Sequence, residues 1–179
     1  CLILKPSEKV PLSAIRIQAL LIEAGLPDGV FQVLFGEKEM VESICDHPDI
    51  KAVSFVGSTR VAESVYRRAT HQLKRALCLG GAKNHLVVLP DADMDKAADA
   101  LVGAGYGSAG ERCMAISVIV AVGDSAEPLL EKLLPKIDVL KIGTGMDNNN
   151  DMGPLITAEH RDKVASYIDI GEQEGAQLL

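Results

Sequence analysis

The sequence predicts an α/β fold built from parallel strands and covering helices. Three observations carry this. Short apolar runs alternate with amphipathic segments of helical period along the chain, and most junctions between them hold glycine or proline. In addition, 47% of the 179 residues are hydrophobic, enough for one substantial core or two small fused ones. Strands that alternate with helices of this length imply right-handed βαβ units and a parallel sheet.

The elements follow in order. Residues 1–4 form an apolar strand-like run, closed by Lys5 and Pro6. Pro11 then opens a helix whose Leu12, Ile15, Ala19 and Ile22 recur at 3.6 spacing, and Gly25 and Pro27 stop it. Residues 30–35 form a short apolar run, 37–45 are helix-like, and 51–56 read as a buried strand that ends at Gly57 and Ser58. A second amphipathic helix over 59–69 leads to a strand at 75–79 and to the Gly80-Gly81 turn. No internal repeat is visible, and that turn is the natural seam, giving subregions 1–80 and 81–179.

Beyond the seam come an apolar run at 85–89, a turn at Pro90 and Asp91, and a helix over 94–104. A glycine-rich stretch reaches Gly110, and a strand at 117–122, a helix at 127–136 and a strand at 139–142 follow. A polar loop at 143–153 precedes the last helix, 158–174. The chain opens at full strength on an apolar run without a methionine, so it is expected to be an internal piece of something larger.

Composition narrows the function classes. A net charge of −7 leaves no broad basic surface for phosphates, and 3% aromatics give few platforms for bases, which argues against nucleic acid. No run approaches the 18 or more apolar residues of a membrane helix, and no signal peptide is expected. Cys1, Cys45, Cys78 and Cys113 form no CxxC pair and have no nearby histidine pair, so no metal site is expected. They read as reduced cytoplasmic thiols. Cys1, Cys45 and Cys78 sit in apolar patterns and are expected in the core. His47 lies in a turn, while His71 and His160 lie on polar helical faces. Asp91, Asp93 and Asp95 lack the spacing of a calcium loop and suit a helix cap.

Parallel sheets bind ligands at the carboxyl ends of their strands, and three stretches fall there. Gly57-Ser58-Thr59 joins a strand to a helix N-terminus, where free N–H groups favour an anion such as pyrophosphate; a plain Ser58 cap has the same pattern. Lys5 and Glu8 could hold the hydroxyls of a ribose, or be a solvated surface pair. There is no GxGxxG. The small residues 103–110 strip side chains from the approach to Glu111-Arg112-Cys113. Arg112 would favour the thiolate of Cys113, the nucleophilic form, although a buried structural cysteine also fits the pattern.

In this order the segments resemble the aldehyde dehydrogenase superfamily over essentially the whole chain. The resemblance runs from LKPSEKVPL and EAGLPDGVFQVLFG through HPDIKAVSFVGST to DADMD, GERC, MGPLI and EQEGAQLL. It implies a partial Rossmann-like parallel sheet, with 1–80 the later part of an NAD-binding domain and 81–179 the start of an α/β catalytic domain. GAKNH at 81–85 and SAGERCM at 108–114 are similar to the methylmalonate-semialdehyde dehydrogenase branch, which acylates coenzyme A. By resemblance Cys113 is the nucleophile, Lys5, Glu8, Lys9, Ser58 and Gly80 hold NAD, and Arg112 meets the carboxylate of a small-molecule semialdehyde. Coenzyme A is the co-substrate.

Counting back from Cys113 without a gap, Leu79 stands where hydrolytic members place the glutamate that activates water. A positioned general base contributes roughly 10²- to 10⁴-fold, so acyl transfer to a thiol is expected to outcompete hydrolysis. The Glu8 carboxylate would repel a 2′-phosphate, favouring NAD over NADP. The resemblance further implies a homodimer or homotetramer, located in the cytoplasm or, in a eukaryote, the mitochondrial matrix. Lacking the oxyanion-hole asparagine and the later oligomerisation region of the family, this chain alone is expected to be nearly inactive. The rival readings are a hydrolytic aldehyde dehydrogenase and a non-catalytic module in which Cys113 is an inert core thiol.

Overall fold

A computed structural model describes all residues, 1–179, as two compact units, Cys1–Gly81 and Ala82–Leu179. No helix is long and apolar enough to cross a membrane. In the first unit β1 (Leu2–Leu4), α1 (Leu12–Glu23), β2 (Phe31–Val33), α2 (Lys38–Asp46), β3 (Ala52–Val56), α3 (Thr59–His71) and β4 (Arg75–Leu79) follow one another. Strand β1 pairs in parallel with β2 and β3 in parallel with β4, each crossover being a helix. The parallel pairing is as expected. The single sheet is not, since the strands form separate two-stranded ladders, because strand partners depend on long-range packing that no local pattern encodes.

The side-chain alternation of β3 and β4 shows which face is covered. Val53, Phe55, Ala76 and Cys78 point inward and pack on Cys45, Val65 and Ala69 of the overlying helices. On the opposite face Val56, Leu77 and Leu79 are exposed, so β3 is covered on one face rather than buried on both. Helix α1 likewise has its expected period, yet Leu12, Ile15 and Ile22 of its apolar stripe face outward and only Ala14 is buried. Cys1 is exposed at the chain's start, contrary to the expected core position, because β1 has only one pairing neighbour. Lys74 is a buried cation with a clear purpose: its Nζ donates to the carbonyls of Ile44 (3.2 Å) and His47 (2.6 Å), satisfying the C-terminal end of α2.

The second unit contains β5 (Asn84–Val88), α4 (Met94–Tyr106), β6 (Ile116–Ala121), α5 (Ala126–Asp138) and α6 (Ala158–Gln173). Val88, Ala98, Leu101, Leu129 and Leu133 form its core, where α4 packs on α5 and the β5–β6 ladder. Asp93 caps α4 by accepting from the Lys96 N–H at 3.2 Å, as the acidic triplet led one to expect. Helix α4 runs past residue 104 through Gly103 and Gly105, since packing outweighs the roughly 1 kcal/mol cost of a helical glycine. The strand expected at 139–142 does not form. Val139 caps α5, and only an isolated bridge from Ile142 to Met152 remains, held where Gly143 donates to the Met152 carbonyl.

Candidate functional site

The two units carry different sets of functional groups. In the first, three strand ends supply polar atoms. Beyond β1, Lys5 is tethered: its Nζ donates to the Gly36 carbonyl at 2.8 Å and lies 3.4 Å from Glu8 Oε2. A hydrogen bond from the backbone at Glu8, and then the Lys5 ammonium, hold the Glu8 carboxyl below its ordinary value. It is therefore an anion at neutral pH, with free lone pairs for a diol. Lys9, on the same segment, donates its N–H to Ser7 Oγ at 3.3 Å, and its side chain is left to solvent.

At the end of β3, Ser58 occupies the N-cap position of α3 with extended backbone angles (φ −66°, ψ 146°), but its hydroxyl makes no capping bond. The simple-cap reading is thus not what the structure contains, and the first-turn N–H groups of α3 keep their capacity for an anion. The end of β4 closes against the same helix start. Gly81 N–H donates to Thr59 Oγ1 at 2.9 Å, and a Cβ at Gly80 would lie 2.9 Å from that oxygen and 3.0 Å from Thr59 Cα. Glycine at 80 is what lets the end of β4 approach the start of α3 this closely. The sequence placed Thr59 at the strand-to-helix junction but gave no sign of its contact with Gly81, which lies 22 residues away. This set suits a dinucleotide: a carboxylate for a ribose, a helix N-terminus for a pyrophosphate, and a glycine where backbone must come close.

In the second unit the thiol sits on a turn. Ala115 N–H donates to the Arg112 carbonyl at 3.0 Å, placing Cys113 and Met114 at the tip, and Cys113 is exposed. The buried-cysteine reading does not hold at this position, whereas Cys45 is 1% exposed and burial pushes its thiol up from the ordinary value. Upstream, Ser108, Ala109 and Gly110 have φ of 55°, 53° and 74°, a short left-handed stretch costing about 1–2 kcal/mol at each non-glycine residue. Arg112 reaches back over Gly107, where an added Cβ would lie 2.9 Å from its guanidinium carbon. It is exposed and has no carboxylate partner within ion-pair distance, while Glu111 beside it is taken by His160 of α6 at 3.0 Å.

Sequence reading also missed Asn84, at the start of β5. Its Nδ2 donates to the Cys113 carbonyl and to the Ala115 carbonyl, each at 2.8 Å. Nothing local marks it, since both acceptors lie in the turn before β6, 29 to 31 residues away. Leu79, the last residue of β4, presents a half-exposed apolar side chain, 52% accessible.

Residues 1–179 match the model of the aldehyde dehydrogenase family. Malonate-semialdehyde dehydrogenase from Pseudomonas aeruginosa is 55% identical over 178 residues, covering 99% of this chain and 36% of that protein. Its counterpart from Halalkalibacterium halodurans is 51% identical over 177 residues. Among solved structures, methylmalonate-semialdehyde dehydrogenase from Oceanimonas doudoroffii superposes with a TM-score of 0.94 at 53% identity, covering 100% of this chain and 37% of that one. A Sinorhizobium meliloti protein provisionally named methylmalonate-semialdehyde dehydrogenase, solved in complex with NAD, gives 0.92 at 55% identity, with 98% and 36% coverage. The chain therefore spans a little over one third of the length of its relatives.

Proposed function

Because the chain belongs to the aldehyde dehydrogenase family, we propose that it carries the nucleotide-holding and thiol-bearing portions of an NAD-dependent, coenzyme A-acylating semialdehyde dehydrogenase. Malonate and methylmalonate semialdehyde are the favoured substrates, after the activities named for its relatives. The observation that carries the reading is the contrast between Cys113, exposed at a turn tip, and Leu79, an apolar side chain in the place of a water-activating carboxylate.

Cys113 Sγ, as thiolate, adds to the aldehyde carbon, and the carbonyl π pair moves onto oxygen. NAD, when bound, supplies the acceptor for the hydride that leaves this carbon, so a thioester remains on Cys113. Lys5, Glu8 and Lys9 hold the adenosine ribose, Ser58 and the α3 N-terminus take the pyrophosphate, and Gly80 lets the backbone approach. The free Arg112 guanidinium takes the substrate carboxylate in a bidentate pair. Loss of that carboxylate as CO2 leaves its bonding pair in the thioester as an enolate, which takes up a proton. The coenzyme A thiol then attacks the thioester carbon, a new S–C bond forms, the bond to Cys113 breaks, and the thiol proton passes to solvent.

A thiol with a pKa near 8.5 is a few per cent thiolate at neutral pH and needs less help than water does. Without a carboxylate at position 79, acyl transfer to coenzyme A is therefore favoured over hydrolysis. The test follows NADH formation from methylmalonate semialdehyde by the complete protein, at fixed NAD, with and without coenzyme A. Turnover that requires coenzyme A and yields propanoyl-CoA is the expected result. Equal turnover without it, yielding a free acid, would overturn the acyl-transfer reading.

A further inference from the structure

We propose that Asn84 is a positioning residue for the reaction at Cys113, holding the thiol's turn by its backbone from the neighbouring strand. The inference rests on the reading of Cys113 as the nucleophile.

A side-chain amide nitrogen has two N–H donors. Asn84 uses both on one turn, at the Cys113 and Ala115 carbonyls, each 2.8 Å away. These are the second and fourth residues of the turn that the Ala115 N–H closes onto the Arg112 carbonyl. Rotating the Cys113–Met114 peptide plane would break the Asn84 bond to the Cys113 carbonyl, and sliding the turn along β5 would break the bond to Ala115. That plane sets ψ of Cys113. The orientation of the Cα–Cβ bond, and so of the sulfur, is thus tied to β5 rather than to the turn alone.

Three features around the turn make such a brace necessary. Upstream, Ser108, Ala109 and Gly110 are left-handed, and strained backbone persists only where its surroundings over-determine it. Met114, the other tip residue, is 76% exposed and anchors nothing. Finally, the β5–β6 register pairs Asn84 with Ile116 but His85 with Val118, skipping Ser117. The ladder is irregular just where the turn begins, as in bulges that re-aim a side chain beside a site. There the Asn84 amide provides the hydrogen bonds that regular pairing does not.

A role confined to stability predicts something different. Two neutral hydrogen bonds lost from a half-exposed site would lower the melting temperature and leave the chemistry of folded molecules alone. A positioning role predicts a fall in the chemical step, since a misplacement of about 1 Å can cost on the order of 10²-fold.

The experiment uses the complete protein carrying Asn84→Ala, Asn84→Gln or Cys113→Ser. It measures the single-turnover rate of NADH formation, the Michaelis constant for NAD and the melting temperature. For Asn84→Ala the expected result is a rate lowered roughly 10- to 100-fold with the Michaelis constant for NAD changed by less than about twofold. Asn84→Gln, which keeps both amide hydrogens on a longer stem, recovers part of the rate. A rate within about twofold of wild type for Asn84→Ala, or a loss matched by an equal loss of folded protein and uncorrected by Asn84→Gln, would overturn the inference. Cys113→Ser separates the premises: if it keeps turnover the nucleophile reading fails, whereas if it abolishes turnover and Asn84→Ala is neutral, only the positioning role fails.

Discussion

Substituting Gly107 with alanine tests the substrate role of Arg112 without touching Arg112. The Gly107 backbone (φ −54°, ψ 130°) suits any residue, so the change carries no backbone strain. Its new Cβ would lie 2.9 Å from Arg112 Cζ and Nη2 and 3.2 Å from Nη1. Carbon contacts settle at about 3.5–4.0 Å, so the guanidinium must withdraw by roughly 0.6–1.1 Å. Arg112 is exposed, and the movement costs the fold little. A charge-assisted hydrogen bond is worth about 1.5–3 kcal/mol, and a shift of this size breaks one arm of a bidentate pair. We therefore expect kcat/KM for an anionic semialdehyde to fall roughly 10- to 100-fold, while a neutral aldehyde of the same length is nearly unaffected. Arg112→Leu should show the same selectivity with a larger loss. The assay is NADH formation by the complete protein on both substrates, with the melting temperature as control. Equal losses on the two substrates, or no loss on the anionic one, would refute the carboxylate-binding role.

Alkylation of the folded protein followed by peptide mass spectrometry should label Cys113 at least roughly 10²-fold faster than Cys45, whose burial disfavours the thiolate; similar rates would mean that the turn is not presented as described. Arg68 makes a bidentate pair with Asp46 (2.9 and 2.6 Å) and holds that carboxyl below its ordinary value of 3.8, chiefly through its hydrogen bond. A depressed carboxylate contributes stability above its unfolded value and loses it as pH falls through the folded one. Urea midpoints of wild type and Arg68→Ala should therefore differ by a steady amount near neutrality and converge only below about pH 3.8; a gap that widens on acidification would contradict the assignment. Leu79→Glu should fold normally and raise coenzyme A-independent acid formation, by up to about 10²-fold if the carboxylate reaches the thioester. No gain would refute the reading of position 79 as the place of the missing base.

Local chemistry made much of the chain legible. Glycine and proline punctuation placed α1 and α3, and Asp91-Ala92-Asp93 announced the α4 cap, because these signals act within a few residues. Cys113 was identifiable as a candidate from its small-residue approach. The features that position the site were hidden. Asn84 looks like any polar residue opening a strand until β6 brings the Cys113 carbonyl to it, and Thr59 looks like a helix start until Gly80 and Gly81 arrive from β4. The strand expected at 139–142 failed for a related reason. Residues Val139 to Ile142 are apolar enough, but a strand needs a partner along its length, and only Met152 supplies one.

The exposure of Leu79 separates folding from chemistry at the point where the proposed activity is decided. Alternate residues of β4 serve different faces: Ala76 and Cys78 fill the core against α3, whereas Leu77 and Leu79 point away from it. A leucine left about half exposed forgoes much of the roughly 1.5–3 kcal/mol that full burial of such a side chain provides. A glutamate there would lose little stability and remain solvated. The inward face of β4 therefore does not dictate an apolar residue at position 79, and the site chemistry is free to do so. An aliphatic side chain in that place removes a base that could deprotonate water without removing any group that a thiol nucleophile requires, since a thiol reaches its anion at neutral pH unaided. On the proposed function, β4 thus supplies the core through its even-numbered residues, while position 79 carries no group able to activate water.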